Sequence, residues 1–134
     1  MTTLDSNTGE IPARSEAWNM RLLGHSDLAG HGDGSRIDKK GNFLYVAHMK
    51  SMGVTILNVE DPTRPRVVNQ IAKAPGVHNH KVQIAGDLMI TNHERAPWER
   101  GEYRPGIQLY DISNSASPKE ISFFPTCEKG VHRF

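Results

Sequence analysis

The sequence is poor in three features that would each point to a particular class of protein. A single cysteine, Cys127 among 134 residues, excludes an internal disulfide and a zinc site built from cysteines alone. No apolar run approaches the roughly 20 residues of a membrane-spanning helix, and residues 1–10 lack the basic-then-apolar layout of a secretory signal. Lys+Arg 16 nearly balance Asp+Glu 15, so the basic excess of nucleic-acid-binding proteins is missing. We expect a soluble, cytoplasmic protein that binds neither membranes nor nucleic acid.

The chain also lacks any sustained apolar period of 3.6 residues, which disfavours amphipathic helices. Instead, short β-branched and aromatic runs alternate with turns rich in Gly, Pro and Asn. The runs expected to form strands are 18–23, 43–47, 54–59, 66–71, 81–84, 88–91, 107–112 and 120–124. This pattern predicts an all-β fold over residues 18–134. Residues 1–17 carry no periodicity and are predicted to be a flexible lead-in.

An internal repeat organises these runs. Residues 53–66 (GVTILNVEDPTRPR) align without gaps with residues 106–119 (GIQLYDISNSASPK). On either side of this match, residues 41–48 align with 86–93, and residues 76–78 align with 130–132. The longer spacing in the second copy is taken up by residues 94–105, which we interpret as an inserted loop. Each unit would hold four short strands with an apolar face that a neighbouring unit must cover. Such a repeat is typical of β-propeller blades, although a small β-sandwich would show similar strand spacing.

The repeat predicts a partial β-propeller made of blades of four antiparallel strands. Blade one would span about 31–75, blade two about 76–129, and residues 130–134 would begin blade three. Two blades and the start of a third cannot close a ring, because propellers usually use four to eight. We therefore expect either additional blades in a longer protein or self-association that completes the ring.

The strand-and-turn pattern resembles the LVIVD-repeat β-propeller family. Strand 54–59 (VTILNV) is followed by Asp61-Pro62-Thr63-Arg64-Pro65, a turn of the DPxxP kind found in that family. The second copy departs from the pattern because it keeps only the later proline, Pro118. The resemblance covers about residues 18–134 and implies a propeller fold. It says little about activity, because propellers host many functions.

The chain has seven histidines, and the repeat predicts that most of them lie on one face of the propeller. A divalent metal, such as Zn, Cu, Fe or Mn, is one expected occupant, because imidazole is a common ligand for such ions. The candidate metal ligands are His78, His80, His132, His31 and His93. The alternative is that these side chains hydrogen-bond to the backbone at the blade tops and bind no metal.

The inserted loop 94–105 is the candidate binding loop. Trp98, Arg100 and Tyr103 are its candidate ligand-binding residues, because long loops on a rigid scaffold often carry recognition. Its carboxylates Glu94 and Glu99 could support metal ligands or act as general bases, but isolated carboxylates in loops are usually solvated, and we expect that here. The predicted function is a module that binds a small molecule or a protein on a histidine-lined channel face. The alternative is a metal-dependent enzyme of hydrolase or oxidase type, for which the sequence identifies no catalytic residue.

Overall fold

The computed structural model describes residues 17–134, so that residues 1–16 of the predicted lead-in lie outside the described residues. The described part of the chain contains nine β-strands and no helix, which confirms the all-β prediction. The strands are β1 Gly34–Lys40, β2 Phe43–His48, β3 Val54–Asn58, β4 Arg66–Ile71, β5 Val77–His78, β6 Val82–Ala85, β7 Leu88–Arg95, β8 Gly106–Asp111 and β9 Lys119–Pro125. No helix from residue 17 onward could span a membrane.

The strands form two antiparallel sheets that follow one plan. The first sheet has the order β1-β2-β3-β4, so that each strand pairs with the next along the chain. In the second sheet β5 and β6 both pair with β7, which is followed by β8 and β9. β5 and β6 lie along the same edge of β7 and together take the place that β1 has in the first sheet, with a break at residues 79–81. Both sheets are therefore antiparallel meanders with the same strand order.

The sequence repeat is also a repeat of the structure. The register of β3 on β4 shifts between Ile56 and Leu57, and that of β8 on β9 shifts between Leu109 and Tyr110. These are the same two positions of the repeat. Such bulges add local twist to a sheet, so the two sheets share a bend as well as a strand order.

The turns repeat in the same way. Gly41 and Gly86, at the turns that join β1 to β2 and β6 to β7, have φ angles of 56° and 59°. Only glycine adopts this region without strain, which explains why both copies of the turn carry it. The amide of Val59 donates to the carbonyl of Asn42 at 2.8 Å, and its repeat partner Ile112 makes the same 2.8 Å bond one sheet later.

The main core lies between the two sheets. It consists of the buried side chains Tyr45, Ala47, Val54 and Ile56 from the first sheet and Val82, Met89, Tyr110 and Ile112 at the second. The Tyr45 hydroxyl crosses the interface and donates to the carbonyl of Ser115 at 2.8 Å. Burial of about 25 cal/mol per Å² of apolar surface stabilises such an interface, so the sheets form one packed unit.

A smaller cluster lies on the other face of the first sheet. Val46, Leu57 and Val67 are buried there beneath Leu28 and Ala29, which precede β1. The chain before β1 therefore crosses the face of the first sheet that points away from the second sheet.

Two strand expectations differ from the structure. The strand predicted at 18–23 is wrong, since these residues form no strand and belong to neither sheet. Conversely, β1 (GSRIDKK) lacks an apolar alternation because it is an edge strand whose side chains are mostly exposed. Its pairing with β2, rather than its own composition, makes it a strand.

Candidate metal centre

The candidate site lies at the end of β7, where His78 and Glu94 face each other as cross-strand partners in the β5–β7 pair. Directly opposed residues of antiparallel strands have neighbouring side chains. His80 follows two residues after His78, and the two imidazole rings stack with centroids 4.3 Å apart and an interplanar angle of 22°. Strand pairing and local spacing thus bring two imidazoles and one carboxylate together.

One carboxylate oxygen of Glu94 is the centre of this cluster. Its Oε2 lies 2.9 Å from His78 Nε2, 2.9 Å from His132 Nδ1 and 3.9 Å from His80 Nε2. His78, His80 and Glu94 each place a potential ligand atom within 4.8 Å of the others. Two ligands on one metal, each bonded at about 2.1 Å, lie about 3.0–3.5 Å apart. The three groups need only small side-chain rotations to reach that spacing.

Buried nitrogens without partners distinguish this cluster from an ordinary hydrogen-bonded one. His78 and His80 are 7% and 1% exposed, and the buried His78 Nδ1 and His80 Nε2 have no hydrogen-bond partner. A buried polar atom without a partner costs about 1–3 kcal/mol. The His80 nitrogen without a partner is the one directed toward Glu94, so that a ligand bound there would satisfy it.

The electrostatics of the cluster favour the forms that bind metals. Burial lowers the pKa of His80 to about 4, and the positive charges of His78 and Lys81 act in the same direction. Burial also lowers the pKa of His78, against the opposing effect of Glu94. Burial raises the pKa of Glu94, but the hydrogen bond and charge of His132 outweigh it and leave that pKa below its usual value. At neutral pH the cluster presents two neutral imidazoles and one carboxylate.

Asn92 orients the His80 ring by a hydrogen bond. Its Oδ1 accepts from the Lys81 amide at 2.9 Å, and its Nδ2 donates to the Val131 carbonyl at 2.8 Å. These two bonds set the orientation of the amide, so Nδ2 also points at His80 Nδ1, 3.2 Å away. With Nδ1 accepting, neutral His80 carries its proton on Nε2. A metal bound at Nε2 must displace that proton, which makes binding dependent on pH.

Gly130 brings His132 to the cluster. It forms a bridge with Glu94, and the Arg95 amide donates to the Lys129 carbonyl at 2.7 Å. Its φ angle is 94°, and a Cβ added there would lie 3.0 Å from Pro105 Cβ and still closer to the His93 carbonyl oxygen. Only glycine fits this close approach.

We expect Gly130→Ala to destabilise the chain by about 2 kcal/mol, because it combines a left-handed φ with a backbone clash. Urea denaturation of both proteins measures this loss. Gly86→Ala is the matched control, since its φ is 59° but a Cβ there would meet nothing within 4 Å. Equal losses in the two variants would contradict the close-approach argument.

Trp98, the first candidate of the inserted loop, lies beside the cluster. Its ring meets His78 edge to face with centroids 5.0 Å apart, and Lys50 Nζ lies 5.0 Å from the Trp98 ring centroid. Glu99 holds the loop by an ion pair with Lys73 and accepts from the Gly76 amide at 3.0 Å. Trp98 is 43% exposed, so it forms a rim of the site that solvent can reach.

Among the described residues, no hydrogen bond, ion pair or ring contact joins Arg100 or Tyr103 to the cluster. Arg100 is exposed. The Tyr103 hydroxyl donates to the Glu128 carbonyl at 3.0 Å, and the Arg95 guanidinium lies 5.5 Å from the Tyr103 ring. The Tyr103 contacts tie the inserted loop to the chain after β9.

His31 and His93 are not brought into this cluster. His93 adjoins Glu94 on β7, and successive strand residues point to opposite faces. Its ring packs against Phe123 at 5.2 Å, and with Thr91 it lines a cavity of about 100 Å³ between the sheets. The His31 ring lies 6.0 Å from that of His48.

His48 belongs to a separate buried polar chain. Its Nδ1 lies 2.9 Å from Asp33 Oδ1, and its Nε2 lies 2.7 Å from Thr55 Oγ1. Gln70 Nε2 in turn donates to Thr55 Oγ1 at 3.0 Å. Both imidazole nitrogens have partners, and His48 and Thr55 are each 0% exposed. This chain stabilises the first sheet and leaves no nitrogen free for a metal.

The prediction that Glu94 is a solvated loop residue is wrong. The inserted loop was expected to begin at Glu94, but β7 continues to Arg95, and the Glu94 side chain is only 19% exposed. The one available signal was its position directly after His93, the repeat partner of His48. No protein-family model, no curated protein and no solved structure matches the chain.

Proposed function

We propose that this chain binds one divalent transition-metal ion through His78, His80 and Glu94, with His132 as an additional ligand. The observation that carries the proposal is the convergence of three imidazole nitrogens on Glu94 Oε2. The partnerless His80 Nε2 within that group supports it.

The donor set suits Zn, Cu, Fe or Mn. Imidazole nitrogen favours Zn, Cu and Fe, and a carboxylate oxygen also suits Mn. His132 has a side-chain exposure of 56%, so it can rotate toward an ion without disturbing the core. The ion would satisfy the buried His80 Nε2, which is otherwise without a partner.

We also propose that the two sheets are blades of a β-propeller of the LVIVD-repeat type, in a cytoplasmic protein. The shared strand order and the shared bulge position support this architecture. Sheet faces that pack on each other in series are the usual way in which blades bury their apolar surface. Additional blades or self-association would then complete the ring.

The site would act as a binding centre for a small molecule or a protein that contacts the metal and the Trp98 rim. The exposed side of the cluster, at His132, favours the catalytic alternative as well. A metal with an open position lowers the pKa of bound water and polarises a substrate. Both functions require the ion, so the measurement of metal binding comes first.

Isothermal titration of the chelator-treated protein with Zn²⁺ and Mn²⁺ tests the metal site. We expect about one ion per chain, and an affinity at least about 100-fold lower in His78→Ala because one of three ligands is lost. His25→Ala is the matched control, since His25 is exposed and lines a groove elsewhere on the chain. Binding of less than about a tenth of an equivalent at saturating metal, or equal affinities of the two variants, would contradict the proposal.

A further inference from the structure

A pocket of about 240 Å³ lies between β1, β6 and the segment after β9. The residues that line it are Arg36, Lys81, Val82, Gln83, Arg133 and Phe134. Three of these side chains carry a positive charge and none carries a negative charge. The pocket therefore concentrates charge of one sign, although Lys+Arg 16 and Asp+Glu 15 nearly balance over the whole chain.

The three cations of this pocket have no acidic partner. Among residues 17–134, no carboxylate forms an ion pair with Arg36, Lys81 or Arg133. The carboxylate that follows Arg36 on β1 belongs to Asp38, and its Oδ2 accepts from the Ile84 amide at 2.8 Å. Like charges held in one pocket repel each other. An anion bound among these side chains would remove this repulsion.

Strand pairing and one buried amide hold the backbone around the pocket. Arg36 lies within β1, which pairs with β2. The Lys81 amide donates to Asn92 Oδ1 at 2.9 Å, and Asn92 Nδ2 donates to the carbonyl of Val131, two residues before Arg133, at 2.8 Å. Asn92 is 0% exposed, so a buried side chain fixes two sides of the pocket. Such preorganisation lowers the entropy that binding costs.

The chemistry of the three cations suits a phosphate better than a carboxylate. A phosphate monoester carries a charge of about −1.5 to −2 at pH 7 and three acceptor oxygens, whereas a carboxylate carries a single charge. Guanidinium groups bind phosphate through two parallel hydrogen bonds, and a lysine adds a point charge. The pocket is smaller than the roughly 300–1,000 Å³ of drug-sized sites, so its ligand is small. Phe134, which is 44% exposed, gives it one apolar wall.

We propose that Arg36, Lys81 and Arg133 bind a phosphate dianion in this pocket. The ligand is either inorganic phosphate or the phosphoryl group of a small monoester whose organic part contacts Phe134. Two of the three cations directly follow candidate metal ligands in the sequence, so the phosphate would be bound near the metal centre. Its own binding groups are different side chains, and the proposal therefore does not depend on a bound metal.

Isothermal titration of the chelator-treated protein with inorganic phosphate and with phenyl phosphate tests the pocket. Chelation removes divalent ions that would bind phosphate themselves, and low ionic strength limits screening of the charges. We expect about one phosphate per chain, with a dissociation constant below about 1 mM for at least one of the two probes. Arg36→Gln and Arg133→Gln should each weaken binding at least about tenfold, because each removes a charged bidentate donor.

Arg66→Gln is the matched control. Arg66 is exposed on β4, at the opposite edge of the first sheet from β1, so this variant removes the same charge far from the pocket. Arg36 and Arg133 are exposed as well, and their replacement leaves the core intact.

The two probes and a carboxylate separate the possible results. Tighter binding of phenyl phosphate would support a monoester as the ligand, and equal binding of both probes would support free phosphate. Benzoate keeps the aromatic ring but carries a single charge, so we expect it to bind more weakly than phenyl phosphate. Benzoate binding as tight as that of phenyl phosphate, equal affinities in Arg36→Gln and Arg66→Gln, or no binding of either phosphate would overturn the proposal.

Discussion

Replacing Glu94 by Gln is expected to weaken divalent-metal binding by about 100-fold or more. The amide keeps the shape of the side chain but removes the negative charge. Glu94 Oε2 lies 2.9 Å from both His78 Nε2 and His132 Nδ1, so the variant changes the one atom that all the imidazoles share. Titration calorimetry with Zn²⁺ at neutral pH measures the change.

Glu99→Gln is the matched control for this experiment. Glu99 also has a pKa below its usual value, because it is hydrogen-bonded to Lys73 and to the Gly76 amide. It lies in the loop that follows β7 and is not part of the cluster of potential ligand atoms. We expect unchanged affinity in Glu99→Gln. An equal loss in both variants would show that a negative charge near the cluster, rather than Glu94 as a ligand, determines the affinity.

Replacing Asp33 by Asn is expected to destabilise the fold by about 3 kcal/mol. Asp33 accepts from the amides of Lys50 and Ser51 at 2.6 and 2.8 Å, and from the hydroxyl of Ser51. It also lies 2.9 Å from His48 Nδ1. An asparagine would present an NH₂ group to some of these donors and leave them without an acceptor. Urea denaturation measures the loss.

Asp27→Asn is the control for this prediction, since Asp27 Oδ1 accepts only the Ala29 amide, at 3.0 Å. A loss in Asp33→Asn no larger than in Asp27→Asn would show that the Asp33 bonds contribute little. Burial raises the pKa of Asp33, but hydrogen bonds from Ser51 and His48 outweigh it and hold this pKa far below its usual value. The stabilisation is therefore present above about pH 4 and is lost as the pH falls toward the folded-state pKa. Asp33→Asn has no such carboxylate, so its free energy of unfolding should not show this loss as the pH falls.

The all-β class and the repeat could be predicted because their signals are local. A β-branched run such as 54–59 favours a strand by its own composition, and Gly41 and Gly86 are required by positive φ angles in their own turns. The edge strand β1 and the two-residue strand β5 were not predictable in this way. Their strand conformation comes from pairing with β2 and β7, and a single sequence does not contain that pairing.

The same distinction between local signals and long-range pairing holds for the candidate metal site. Sequence alone determined which chemistry was available: abundant imidazole, one thiol, and histidines at repeated positions. Tertiary structure decided which imidazoles meet. Cross-strand pairing placed Glu94 opposite His78, and strand alternation turned the adjacent His93 to the other face. The chain after β9 then carried His132 to the same carboxylate. Composition and turn geometry are properties of neighbouring residues, whereas a shared carboxylate depends on strands that are distant in sequence.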